Sequence, residues 1–420
     1  MTSTPANPYA AADAPRPLNT LLVGQTVSSL GDWMGTIALI VLVQEITDSA
    51  AAVGGVLVLR LTPAVLAGPL AARLTLRWSR RRIMLAMDAV RVPFALVLPW
   101  VTELWWIYTW ALLLEVASLV FLPARDASIP DLQEPGGDLG VANGLVLGTS
   151  YGMIPVGAGV YALVAVLAGS HADQVGVARI VFLVDAITFV LSYLAIARLP
   201  EIGSASEAPG EEADGGGGFR DALRLTVVRR MAPIAAVVAA GLGALFSLGV
   251  VWVSDVLDAS DVEFGLLVAC FGVGAGLGLL ILRRLGERDF RVVKVALVAQ
   301  GGVVATMSLA PTIGFALLGA LGFGAATALV LATSMELLQR EVEERHRVLA
   351  FTAFHVAIRG GLALAAMGAG VAQDAVDAVN WPLVGRFEPA QVVLMASGLL
   401  VAAVGLLSRP PPETTPPIRT

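Results

Sequence analysis

The sequence predicts an all-α polytopic membrane protein with about 12 transmembrane helices in two pseudo-symmetric six-helix bundles. Three observations lead there. About twelve apolar stretches follow one another, each near the ~20 residues a helix needs to cross a bilayer. Arginines crowd into every second loop between them. One long polar insertion, 200–222, splits the series into equal halves. Hydrophobic residues make up 57% of the 420-residue chain and charged residues 14%, well below the ~25% charge of soluble proteins.

The first bundle is drawn over 18–199, with spans at 18–45, 51–76, 81–100, 104–126, 139–168 and 176–199. The second covers 223–408, with spans at 229–256, 262–285, 291–310, 311–338, 346–376 and 389–408. Residues 1–17 are rich in Pro and Ala and lack a cleavage-site pattern, so they read as a disordered tail rather than a signal peptide. Residues 409–420 form a C-terminal tail. The insertion EIGSASEAPGEEADGGGG cannot bury apolar surface and reads as a flexible cytoplasmic linker.

Charge sets the orientation. Arg73, Arg77, Arg80, Arg81 and Arg82 fill one loop; Arg198, Arg220, Arg224, Arg229 and Arg230 fill the linker region. Arg283, Arg284, Arg288 and Arg291, then Arg340, Arg345 and Arg347, fill two more, while the alternate loops carry only Arg179 and Arg386. Basic loops stay inside during insertion, which puts both termini in the cytoplasm and the chain in the inner membrane. The net charge of −6 averages over two faces, since Glu45, Asp48, Glu103, Asp173, Asp255 and Asp374 fall in the outer loops. Membrane lipids are the expected partners of the basic loops, and a nucleic acid is not. Cys270, the single cysteine, lies in a span, which excludes an intramolecular disulfide and a cysteine metal site.

The halves resemble each other. GPLAARLTLRWSRRRIML joins spans two and three, and GLGLLILRRLGERDFRVV joins spans eight and nine. Each is a Gly-rich helix running into a basic turn, as in transporters built from parallel repeats. Gly265, Gly272, Gly274, Gly276 and Gly278, with Gly319, Gly322 and Gly324, read as close helix packing. Trp105, Trp106 and Tyr108 read as an interfacial aromatic belt.

Seven fragments, in order, carry a family resemblance: LGDWMG, TDSA, RLTPAVLAGPLAARL, DAVR, FLPARDASIPDL running on to LGVANGL, FLVDAITFVLS and MELLQREVEERHRV. On these the chain resembles the major facilitator superfamily, and within it the drug-efflux branch that includes macrolide and siderophore exporters. The resemblance covers nearly the whole chain. It implies a conformational motif at Gly68, Arg77, Arg80 and Arg81, and an antiporter-type motif at Gly152, Pro155 and Gly159. Two positions depart from the pattern. Leu76 stands where the family has an aspartate that latches the halves, and Ile154 stands where a glycine is usual.

Ionisable groups inside a bilayer are functional candidates. Those placed in spans are Asp32, Arg60, Asp88, Arg91, Glu115, Asp185, His355 and Arg359, mostly in the first half. That asymmetry suggests that one half handles charge and the other supplies packing glycines. Counting rise from the outer turns puts Asp32 and Arg60 roughly 6 Å apart in height, and Arg91 nearly level with Glu115. Asp32 with Arg60 is expected to handle substrate or protons. Arg91 with Asp88 or Glu115 is read as a fixed clamp. Asp185, and His355 with Arg359, lean structural, and His171 and His346 are read as solvated.

The function expected is secondary active export of a small amphipathic molecule by alternating access, coupled to protons, by a monomer. No Walker-type sequence supplies a nucleotide site, and no cofactor or metal is implied. An integral-membrane enzyme would need a clustered His, Asp or Glu set that short outer loops and three scattered histidines do not provide. An importer or a lipid or siderophore translocator on the same fold remains the alternative.

Overall fold

The computed structural model describes residues 16–47, 52, 55–56, 59, 70, 74, 78–168, 174–202, 223–259, 261–286, 288–377 and 387–408, and every regular element among them is helical. In the first half these are α1 (Pro17–Thr47), α2 (Arg80–Val97, continued by a 3₁₀ turn Leu98–Trp100), α3 (Leu104–Leu132), α4 (Leu139–Tyr151), α5 (Met153–Ala168) and α6 (Gln174–Ala197). In the second they are α7 (Thr226–Asp255), α8 (Asp261–Arg284), α9 (Phe290–Met307), α10 (Ile313–Glu341), α11 (Glu344–Asp377) and α12 (Pro389–Leu407).

Ten helical stretches among the described residues are long and apolar enough to cross a membrane. The other two expected spans have identifiable fates. The second, 51–76, falls almost wholly outside the described residues. The fifth is broken into α4 and α5 of 13 and 16 residues. Gly152 closes α4 by donating its backbone N–H to the Gly148 carbonyl at 2.9 Å. Pro155 follows three residues later and has no N–H to continue the ladder.

One boundary differs in a way that matters. Span four is expected to stop at 126, where the apolar run gives way to charge, but α3 runs on to Leu132. Charge there does not end the helix because the charged residues are buried against other helices.

Within the halves, α1 and α2 pack on α6, α7 packs on α11, α8 on α10 and α9 on α12. The second-half pairs approach at glycines. A β-carbon on Gly278 would sit 2.5 Å from the Ala325 carbonyl oxygen, and one on Gly398 would sit 2.7 Å from that of Gly301. At Gly324 it would overlap the Phe271 carbonyl, and at Gly361 that of Ala236. The backbones touch, and dispersion between them replaces the hydrophobic drive that lipid cannot supply.

The halves meet where α3 packs on α11 and α4 packs on α8 and α10. Arginines of the basic loops gather at one end of the molecule. At that end residues 200–202, expected in the linker, are docked instead. Ile202 is buried. Glu201 accepts a hydrogen bond from the Ser79 hydroxyl at 2.7 Å and pairs with Arg81 and Arg82 at 2.9 and 3.1 Å. The remainder of the linker, 203–222, and both tails lie outside the described residues apart from Arg16 and Pro17.

Candidate functional site

A cavity of about 440 Å³ lies between the halves. The first half lines it with Ser29, Asp32 and Trp33 of α1, Arg91 of α2, Glu115 and Arg125 of α3, and Asp185 and Phe189 of α6. The second half contributes Phe271, Gly272 and Gly276 of α8, Met335 of α10, and Phe354, His355 and Arg359 of α11. Carboxylates and aromatic rings thus share one wall, an arrangement suited to an amphipathic molecule.

Asp88 and Arg91 form a clamp on a single helix face, 3.3 Å apart and both buried. The Arg91 guanidinium also lies 4.6 Å from the Phe121 ring centre and 5.2 Å from that of Phe189. The alternative pairing of Arg91 with Glu115 is not made. Equal depth does not set which way a helix face points. Glu115 turns across the interface and pairs with Arg359 of α11. Arg60, the partner expected for Asp32, lies outside the described residues.

Asp126 is fully buried and anchors a network below the cavity. Its carboxylate takes the Arg125 Nε at 2.7 Å on one oxygen and meets His355 Nε2 at 2.6 Å on the other. Arg125 Nη1 donates to the Gln25 side chain at 2.9 Å and to the Ser150 hydroxyl at 3.2 Å. The Ser150 carbonyl accepts Trp33 Nε1 at 2.7 Å, so the break between α4 and α5 is tied to the cavity wall. Gln339 of α10 donates to the Asp126 carbonyl at 3.0 Å and exchanges bonds with Asn143 of α4 at 2.7 and 2.9 Å.

Closer to the basic end, Arg80 pairs with Glu344 of the other half and with Asp131 at 3.1 Å, and Arg347 lies 3.9 Å from Asp131. Arg288 pairs through both terminal nitrogens with Asp138 and Glu336, the latter at 3.2 Å. The Arg288 hydrogen bonds hold the Asp138 carboxyl below the ordinary aspartate range. The Ser79 hydrogen bond, with Arg81 and Arg82 nearby, does the same for Glu201. Among the described residues, every hydrogen bond and ion pair joining the halves lies between mid-height and this end.

The expected asymmetry of charge therefore does not hold. Arg288, Glu336, His355 and Arg359 of the second half take part in ion pairs as fully as the first-half residues they meet. Arg125, Asp126, Asp138, Arg288 and Glu336 escape the sequence reading as site residues. Glu336 falls inside the span drawn over 311–338, so its position in an apolar run is the signal that could have found it. Arg125 and Asp126 close the span drawn over 104–126, so the same signal could have found them.

The remaining candidates are placed as follows. Arg80 and Arg81 sit at the start of α2, with Arg81 also donating to the Ala197 carbonyl at 2.6 Å. Gly68, Arg77 and Leu76 fall outside the described residues, as does His171. Gly152 and Pro155 mark the helix break, and Gly159 has open space around it. His346 lies 3.9 Å from Glu343 near the basic end. Trp105 is exposed, Trp106 Nε1 donates to the Val97 carbonyl at 3.3 Å, and the Tyr108 hydroxyl donates to the Ala52 carbonyl.

Fold and site define a multi-pass integral membrane protein with two helical bundles around a central cavity. The profile of the Major Facilitator Superfamily matches residues 21–255. The chain belongs to that superfamily and is a membrane transporter of its type. The uncharacterized MFS-type transporter YfiS of Bacillus subtilis (strain 168) is 30% identical over 116 residues, 27% of this chain and 28% of that protein's length. A bacterial homologue of the iron transporter ferroportin in its outward-facing state superposes with a TM-score of 0.71 at 15% identity, covering 93% of this chain and 99% of that one. The Escherichia coli fucose:proton symporter FucP gives 0.73 at 11% identity, covering 94% and 98%. The proton:xylose symporter XylE gives 0.64 at 14% identity, covering 92% and 94%.

Proposed function

We propose that this chain exports a small amphipathic molecule (a drug, antibiotic or secondary metabolite) across the inner membrane by alternating access, in antiport with protons. Both termini then lie in the cytoplasm, and the basic end faces inward. The observation that carries the reading is the central cavity, whose wall joins carboxylates to aromatic rings and whose halves are bonded together on the basic side alone among the described residues. With that side cytoplasmic, the cavity is in its outward state. Asp32 serves as the coupling carboxylate, and Glu115 with Arg359 is a mid-height pair that a charged substrate can compete for. Seven motif fragments resembling the drug-efflux branch support the direction. Substrate and lipids are the partners, and the transporter acts as a monomer.

The test is ethidium efflux and drug susceptibility in a host deleted for its own pumps, with everted vesicles energised by a proton gradient. Gradient-dependent accumulation in everted vesicles, lost with Asp32→Asn, is expected. The fold shared with proton symporters favours import as the second reading, and gradient-driven accumulation in right-side-out vesicles alone establishes that one instead.

A further inference from the structure

The end of the cavity nearest the basic side is built from donors. Gln25 of α1, Arg125 of α3, Ser150 near the end of α4 and His355 of α11 line it there. Arg125 is 3% exposed and Gln25 4%. The acid that holds the set together, Asp126, is fully buried and is not part of the cavity wall. Both of its oxygens are taken, one by Arg125 Nε at 2.7 Å and the other by His355 Nε2 at 2.6 Å. The cavity therefore meets the guanidinium first and its counter-charge second.

Gln25 is oriented by the same arginine. Its Oε1 accepts from Arg125 Nη1 at 2.9 Å, and the flipped amide would set donor against donor. Its Nε2 is thereby fixed as a donor, and it is buried without a hydrogen-bond partner. Such an unmet donor is rare and raises the free energy of the protein that carries it. The Ser150 hydroxyl accepts from Arg125 at 3.2 Å and has its own hydrogen to give.

The acids of the cavity stand elsewhere. Asp32 is seven residues beyond Gln25 on α1, and Glu115 ten residues from Arg125 on α3, about 10 and 15 Å toward the other end. Asp185 is level with Asp32. A β-carbon on Gly35 would sit 3.3 Å from Asp185 Oδ2, and one on Gly31 would overlap its Oδ1. The cavity is graded, with acids at mid-height and unmet donors at the basic end.

We propose that Gln25, Arg125 and Ser150 form a subsite for a carboxylate carried by the transported molecule, whose apolar body then lies among Phe271, Met335 and Phe354. The inference rests on the transport reading above and names the substrate class, amphipathic molecules with a carboxylate at one end. Two acceptor oxygens suit a guanidinium, an amide N–H and a hydroxyl that are already held in place.

The test compares two dyes that differ at one group. Rhodamine 110 carries a free carboxylate, and rhodamine 123 is its methyl ester. Fluorescence anisotropy of each is titrated with purified protein in lipid nanodiscs, against empty nanodiscs. The readout is the ratio of the two affinities, since a merely structural change weakens both dyes alike. Gln25→Leu, which removes the donor without adding charge, is expected to shift the ratio about threefold against rhodamine 110. Gln25→Glu, which keeps an acceptor for Arg125 and adds an acid, is expected to shift it about tenfold. An unchanged ratio in Gln25→Leu overturns the proposal even where Gln25→Glu moves it, because an added charge also acts at a distance. Failure of rhodamine 110 to bind wild type overturns it as well. Size exclusion checks folding, and Gln25→Met takes the place of Gln25→Leu if that variant aggregates. Binding is read without a gradient, so failure of ethidium efflux bears on the transport reading and leaves the ratio interpretable.

Discussion

Asp138→Asn isolates one strand of the bonding at the basic end. The asparagine keeps the volume and can still accept the Val141 N–H, which Asp138 holds at 2.9 Å as the N-cap of α4. What it loses is the charge facing Arg288. Charge-assisted hydrogen bonds contribute about 1.5–3 kcal/mol and neutral ones about 0.5–1.5. The Asp138 side chain is 38% exposed, so solvent screening draws the loss toward ~1 kcal/mol. That is about a fivefold shift in the ratio of basic-end-closed to basic-end-open molecules. Spin labels on cysteines replacing Arg198 and Arg291, in a Cys270→Ala background, report the opening through pulsed dipolar distances. The population of long distances should rise about fivefold when it starts small. Unchanged distributions in Asp138→Asn, alongside a change in Glu344→Gln, would refute the assignment of this pair to the latch.

Other outcomes follow from the same geometry. Because the Asp138 carboxyl is held below its ordinary range, its contribution is complete above that range and is lost only as pH falls through the depressed value. Its share of the closed population should therefore stay constant from neutral to about pH 5, read with the same labels. Gly324→Ala should destabilise by about 1–3 kcal/mol, because the added methyl meets the Phe271 backbone; Gly276→Ala, with open space around it, should leave the thermal midpoint of the purified protein near wild type. His355→Ala should open the basic end by removing the bond to Asp126, while Asp126→Ala should cost more in folded yield because it strands Arg125 as well. Cysteines at 258 and 374 should label from outside intact cells, and one at 284 should not.

Much of the fold is legible in the sequence because its signals are one-dimensional. Apolar length marks a span, and among the described residues the helix ends match to within a few residues except at α3 and at the break between α4 and α5. The site is less legible because its pairs depend on azimuth and on contacts between distant segments. Of the two partners the sequence offers Arg91, the one it meets is Asp88, one turn away on its own helix. Glu115 cannot be assigned to Arg359 in the same way, since 244 positions separate them in the sequence and no local periodicity links them. Asp126 with His355 and Asp138 with Arg288 escape for the same reason. The glycines of LGDWMG stand out as a motif, yet their purpose, room for an acid on α6, emerges only when two helices are laid together.

Helix α8 carries two kinds of glycine. Gly274 and Gly278 press against the Leu321 and Ala325 backbones, whereas Gly272 and Gly276 face the cavity with nothing within 4 Å of an added β-carbon. One side of the helix is closed to mutation and the other is vacant. Side chains can therefore arise at 272 and 276, reshaping what the cavity admits, without disturbing the seam that holds the bundle. Descendants of this sequence can change their substrate range by drift at these two positions, at little expense in stability.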